Sequence, residues 1–136
     1  MNNHSQPLVY ACSGCSNVAQ LANTIAIRLD RAGVAEMSCI AGVGGGVPAL
    51  LRIARSGRRI IAIDGCKLHC ALACLNQAGV SPDEHVTLSD HGVRKRFGED
   101  CSAQQADELY AGLVKLVEKD AAQPQQAGAG SSDQSS

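Results

Sequence analysis

Aromatic residues are almost missing from this chain of 136 residues: it has no Trp, one Phe (Phe97) and two Tyr (Tyr10 and Tyr110). Its core must therefore be built from Ala, Val, Leu and Ile. No series of rings is available on which unpaired bases could stack. Net charge is also nearly absent, at −1, so no overall positive field draws a polyanion and nucleic acid is not expected as a partner. The first residues, MNNHSQP, carry no basic segment leading into a long apolar one, so no secretory leader is expected. No apolar run approaches the roughly 20 residues of a membrane span. No Gly-Lys-Ser/Thr follows a glycine loop, which excludes a Walker loop. These absences lead to the expectation of a cytoplasmic protein that contacts neither nucleic acid nor membrane.

What is plentiful is cysteine, with seven residues. An odd number does not suit a fully paired disulfide framework, and in a reducing compartment clustered thiols point to metal binding or catalysis. Three of them are evenly spaced: Cys12, Cys39 and Cys66 stand 27 residues apart each time. That interval is close to one strand–helix–strand unit of roughly 30 residues. In a parallel sheet such positions recur at one edge, so the spacing predicts three strands that each deliver a thiol to the same rim.

The pattern of apolar residues predicts those strands. Leu8 to Ala11 reads as a short buried strand, ending at Cys12-Ser13-Gly14-Cys15. Val18, Leu21, Ala22, Ile25, Ala26 and Leu29 then form one face of a helix, with Ser16 or Asn17 as cap and Gly33 as stop. Glu36 to Ala41 reads as a second strand, and Pro48 opens a helix running to about Ser56. Arg59 to Ile63 is the clearest strand, a continuous apolar run of the kind covered on both faces. A helix is predicted over Leu68 to Gln77, a fourth strand over His85 to Leu88, and a last helix from Ser102, where Ser102 and Gln105 match a capping box. Alternation of this kind predicts an α/β fold, a single-domain, Rossmann-like three-layer α/β/α sandwich with about four mainly parallel strands. The expected organisation is a flexible N-terminus at 1–7, a cysteine-rich α/β domain at 8–119, and a disordered Gln/Ala/Gly/Ser tail at 120–136.

Several residues are candidates for chemistry. Cys12-x-x-Cys15 beside a helix start serves either one metal ion or a redox dithiol. Cys66, Cys70 and Cys74 would form a row on one helix face, but Cys74 lies roughly 12 Å from Cys66 along such an axis, too far to share its ion. Cys74 and Cys101 read as structural, and His69 as a surface residue or a fifth donor. Asp64 and Asp90 follow strands and could ligate, orient a ligand or cap the next helix. His91 is either a general base or a loop histidine. Gly44-x-Gly46-x-x-Ala49 is a loose dinucleotide fingerprint, but Pro48 interrupts it and no ribose-binding acid follows, so no organic cofactor is expected. The glycines suit a close backbone approach to the thiols. Arg94-Lys95-Arg96 is either a countercharge for thiolates or a solvated run. The soft donors favour zinc, with an iron–sulfur cluster or copper(I) as lesser alternatives.

Taken in order, Cys12-Ser-Gly-Cys15-Ser-Asn, Ser38-Cys39-Ile-Ala-Gly-Val-Gly, Ile63-Asp64-Gly65-Cys66 with Cys70, and Asp90-His-Gly-Val-Arg-Lys95 resemble the DGC domain family, named for Asp-Gly-Cys. The resemblance covers about Leu8 to Val117. It implies zinc binding through chelating cysteines and no assigned reaction. Carried onto this chain, it implies Cys12, Cys39, Cys66 and Cys70 as chelators, with Cys15 as a further one. The expectation is therefore a zinc-binding protein acting as carrier, sensor or structural centre, without a catalytic residue identified. The alternative is a thiol redox or sulfur-transfer protein using Cys12 and Cys15. Partner proteins and oligomeric state are not legible.

Overall fold

In the computed structural model, which describes residues 6–121, four strands form one all-parallel sheet. The strands are β1 (Leu8–Ala11), β2 (Glu36–Met37), β3 (Ile60–Asp64) and β4 (Glu84–Thr87), in the order β2-β1-β3-β4. The helices are α1 (Asn17–Arg31), α2 (Ile40–Gly44), α3 (Pro48–Ala54), α4 (Cys70–Gln77) and α5 (Ala103–Ala121), with a 3-10 turn at Leu88–His91. This is the expected α/β fold. The expected flexible N-terminus and disordered tail fall mainly on residues outside those described.

The two central strands carry the core. All residues of β1 and β3 are buried, and they pair in register from Leu8 opposite Ile60 to Ala11 opposite Ile63. Alternate side chains serve opposite faces. Val9, Ala11, Ile61 and Ile63 pack with the buried stripe of α1 and with Leu113 and Val117 of α5. Leu8, Tyr10, Ile60 and Ala62 pack with Val43, Ala54 and Leu75 from α2, α3 and α4. Two apolar layers on one sheet make the three-layer sandwich.

Helix ends follow the sequence where local chemistry governs. Ser16 Oγ accepts the Ala19 N–H at 3.1 Å and caps α1. Gly33 takes φ 75° just past its end, a conformation that glycine adopts without strain. Ser102 and Gln105 form the expected reciprocal capping box, each backbone N–H donating to the other side chain at 3.1 Å.

Two boundaries differ most from expectation. The second strand is two residues long rather than six, because the chain turns at Cys39 into the short helix α2. Its glycines are required by packing: a Cβ on Gly42 would collide with the Leu50 side chain, and one on Gly44 would stand 2.8 Å from Cys74 Sγ. The other is α4, which starts at Cys70 instead of Leu68. His69 sits in the left-handed region at φ 55°, ψ 51°, so residues 66–69 form a turn.

Candidate functional site

The carboxyl ends of β1 and β3 lie side by side; β1 runs directly into Cys12, and β3 reaches Cys66 with Gly65 between. The Cys12 N–H donates to the Ile63 carbonyl at 3.0 Å, continuing the ladder one step beyond β1. Its side chain is then enclosed, with the residue only 7% exposed. The Gly65 N–H donates to Cys12 Sγ at 3.2 Å. Burial pushes the Cys12 thiol up to about 11; the Gly65 hydrogen bond opposes this, while Asp64, Cys70 and Cys66 add to it. In the metal-free chain Cys12 is therefore a protonated thiol at neutral pH.

Each residue of Asp64-Gly65-Cys66 has a separate structural duty. Asp64 ends β3 and is wholly buried. One carboxylate oxygen accepts the Ala71 N–H at 2.7 Å; the other accepts the Leu72 N–H at 3.1 Å and faces His85 Nε2 at 2.8 Å. These are the orphan amides at the start of α4. The residue in the cap position, His69, makes no side-chain cap bond of its own, so Asp64 caps the helix from the preceding strand. Gly65 is required by space. A Cβ there would lie 2.6 Å from the Val18 carbonyl carbon and oxygen and 2.7 Å from the Ala19 nitrogen, all backbone atoms of α1. Cys66 is only partly covered, and Lys95 Nζ donates to its sulfur at 3.4 Å.

Behind this turn lies a histidine pair. His69 Nε2 and Thr87 Oγ1 are 3.1 Å apart, and the His69 and His85 rings meet edge to face at 4.8 Å. Register explains the arrangement: Asp64 pairs with Thr87 and Ala62 with His85, so His85 and Thr87 share the face from which Asp64 reaches α4.

Above the turn opens a cavity of about 150 Å³. Cys12, Cys15, Cys66 and Cys70 all line it, as do His69 and Lys95. Leu68 and Phe97, 71% and 66% exposed, stand at its rim. A larger surface depression of about 520 Å³ beside Arg94, Arg96 and Glu108 holds neither thiol nor imidazole. The thiols and the imidazole therefore gather at the smaller cavity.

The remaining candidates lie elsewhere. Cys39 is exposed in the cap position of α2 and does not line the cavity. Cys74 packs against Gly44, and Cys101 against the α1–α5 layer; burial raises the pKa of both. The glycine run thus approaches Cys74, not the four clustered thiols. Asp90 and His91 are exposed on the 3-10 turn. Of the basic run, Lys95 alone turns to the cavity. Sequence reasoning missed His85 and Thr87, whose alternation in β4 could have placed them beside Asp64 had the strand order been known.

The donor set is of the right kind for a soft ion: four thiols from two chain segments on one cavity. Among the described residues, however, no three His, Cys, Asp or Glu side chains are gathered closely enough to hold a metal as they stand.

Residues 8–113 match the family model described as DGC domain. A relative from Pseudomonas aeruginosa, the "Anaerobic and virulence modulator AnvM", is 66% identical over 111 residues, covering 82% of this chain and 85% of the relative. No solved structure matches. No helix among the described residues is long and apolar enough to cross a membrane.

Proposed function

The chain belongs to the DGC domain family, and from that premise we propose that it binds a soft metal ion, zinc foremost, through Cys12, Cys15, Cys66 and Cys70. The observation that carries this reading is the convergence of those four thiols on one cavity from segments some 50 residues apart in the chain. A thiolate-bound zinc is tetrahedral, with Zn–S near 2.3 Å. Here Cys12 is the fixed inner donor, already hydrogen-bonded by Gly65. Cys66 and Cys70 are kept in step by Asp64, which joins the end of β3 to the start of α4. Cys15 closes the ring from the turn before α1. Metal binding would release the Cys12 proton, because thiols ligate as thiolates. Cys39 stays outside this ligand set. The name of the Pseudomonas relative describes a modulator; carried over, it favours a sensor among the roles of carrier, sensor and structural centre, working in a reducing cytoplasm.

One contact favours the thiol-chemistry alternative: the Lys95 ammonium on Cys66. It would make Cys66 the attacking sulfur in place of Cys12, whose burial holds it protonated.

The test is elemental analysis of protein purified without added metal. The expected result is about one zinc per chain, lost in Cys66→Ser and retained in Cys39→Ser. A wild-type chain that purifies metal-free and takes up no zinc in equilibrium dialysis would sink the metal reading.

A further inference from the structure

The loop carrying Lys95 is held from an unexpected direction. Asn17, the first residue of α1, is buried, and besides accepting the Val18 N–H of its own helix at 2.8 Å its side chain holds the loop. Its Oδ1 accepts the Arg96 N–H at 2.6 Å and its Nδ2 donates to the Arg94 carbonyl at 2.9 Å. Its own backbone N–H donates to the Arg96 carbonyl at 2.9 Å. An antiparallel bridge between Ser16 and Phe97 continues the attachment. The residues on both sides of Lys95 are therefore tied to the segment that follows Cys12 and Cys15. Lys95 is left with its ammonium 3.4 Å from Cys66 Sγ and 5.2 Å from the centre of the Phe97 ring.

We propose that Lys95 is the countercharge that sets the metal affinity of the thiol cavity, and that Asn17 is the positioning residue that holds it there. The inference rests on the metal reading above. Four thiolates around a divalent ion leave two negative charges in a partly desolvated cavity. No other Lys or Arg lines that cavity among the described residues. Lys95 lies against one of the four sulfurs, so it offsets the charge where it accumulates. Outside the direct ligands, such partners change metal affinity by about 10- to 100-fold. The arrangement also gives the site a release handle, since any event that pulls residues 94–97 from Asn17 removes the countercharge without touching a ligand.

The test is zinc affinity by competition with a chromophoric chelator on the full-length chain. Lys95→Met is expected to bind zinc about 10- to 100-fold more weakly, while Lys95→Arg, which keeps the charge, binds like wild type. Asn17→Ala should weaken binding in the same direction. Because it acts through Lys95, the double variant Asn17→Ala/Lys95→Met should bind no more weakly than Lys95→Met alone. A merely structural role would not give the arginine rescue or this non-additivity. Equal affinity of wild type and Lys95→Met overturns the countercharge, and additive losses overturn the clamp. If wild type itself takes up no zinc, the metal reading fails first and this inference fails with it; that outcome is visible in the wild-type titration alone. Lys95 is partly exposed, so its variants test the idea even if Asn17→Ala does not fold.

Discussion

Replacing Asp64 by Ala should cost more than any other single side-chain truncation around the site. The carboxylate accepts two α4 amides, at 2.7 and 3.1 Å, and faces His85 Nε2 at 2.8 Å. Truncation removes all three partners at once. A buried donor left without an acceptor costs about 1–3 kcal/mol, and a lost helix cap about 0.5–2 kcal/mol. The two overlap, because the cap consists of the same amides. Leu72 and His85 are only half-buried, so water reaching them lowers the sum further, which leaves about 3–5 kcal/mol, the range found when one partner of a buried pair is removed. Set against a total stability of about 5–15 kcal/mol, that is a large fraction. The measurement is urea unfolding of the reduced chain in excess chelator, so that metal does not contribute. Amide exchange supplies a local check: Ala71 and Leu72 should lose protection ahead of the rest of α4. Asp64→Asn, which keeps one acceptor, should lose roughly half as much. A cost below about 1 kcal/mol for Asp64→Ala, with unchanged exchange at Ala71, would refute the assignment of Asp64 as the cap.

The other predictions concern neighbouring groups. Gly65→Ala should destabilise the chain by about 1–3 kcal/mol or more, because its Cβ meets α1 backbone atoms that cannot rotate away; wild-type-like urea unfolding would show that the close approach is not required. Cys12 gives a pH signature. Its unfolded thiol ionises near 9 while the folded one holds its proton to about 11. The folded state thus binds more protons across that window, and stability should fall as pH rises from about 9 to about 11. In the metal-free chain Cys12→Ala should shallow that fall, and an unchanged slope would show that Cys12 is not the group responsible. Cys66→Ser should abolish copurified zinc where Cys39→Ser does not, and Lys95→Met should weaken zinc binding where Lys95→Arg does not.

Much of the fold is legible because local pattern and packing agree. The stripe Val18, Leu21, Ala22, Ile25, Ala26 and Leu29 is buried throughout. So is the run Ile60 to Ile63, and the Ser102–Gln105 box forms as its spacing implies. Failures occur where tertiary contacts override local preference. A strand read through Cys39 to Ala41 becomes helix because glycines at 42 and 44 admit Leu50 and Cys74. The thiol row Cys66-Cys70-Cys74 does not exist as read: His69 takes a left-handed conformation, and only Cys70 and Cys74 lie on the helix. No residue pattern near His69 announces this. It follows from Asp64, a cap seven residues before the first amide it satisfies.

The even 27-residue spacing of Cys12, Cys39 and Cys66 treats three strands as equivalent, and the strand order makes them unequal. In the order β2-β1-β3-β4 the chain leaves β1 toward β2 and leaves β3 toward β4. Those two connections diverge, and the crevice between them is where ligands of open parallel sheets bind. Cys12 and Cys66 end the two strands that flank it and line the same cavity. The chain leaving β2 instead runs back past β1 to reach β3. It must fill the space above the sheet, and it does so with α2, which begins directly after Cys39 and packs on α4. Cys39 is thereby carried off the rim, while Cys15 and Cys70, which follow the two flanking strands, are brought onto it. Periodicity in a sequence reports how many strands there are and where each ends. It holds no information on which connection turns left and which turns right, and that choice decides which thiols meet.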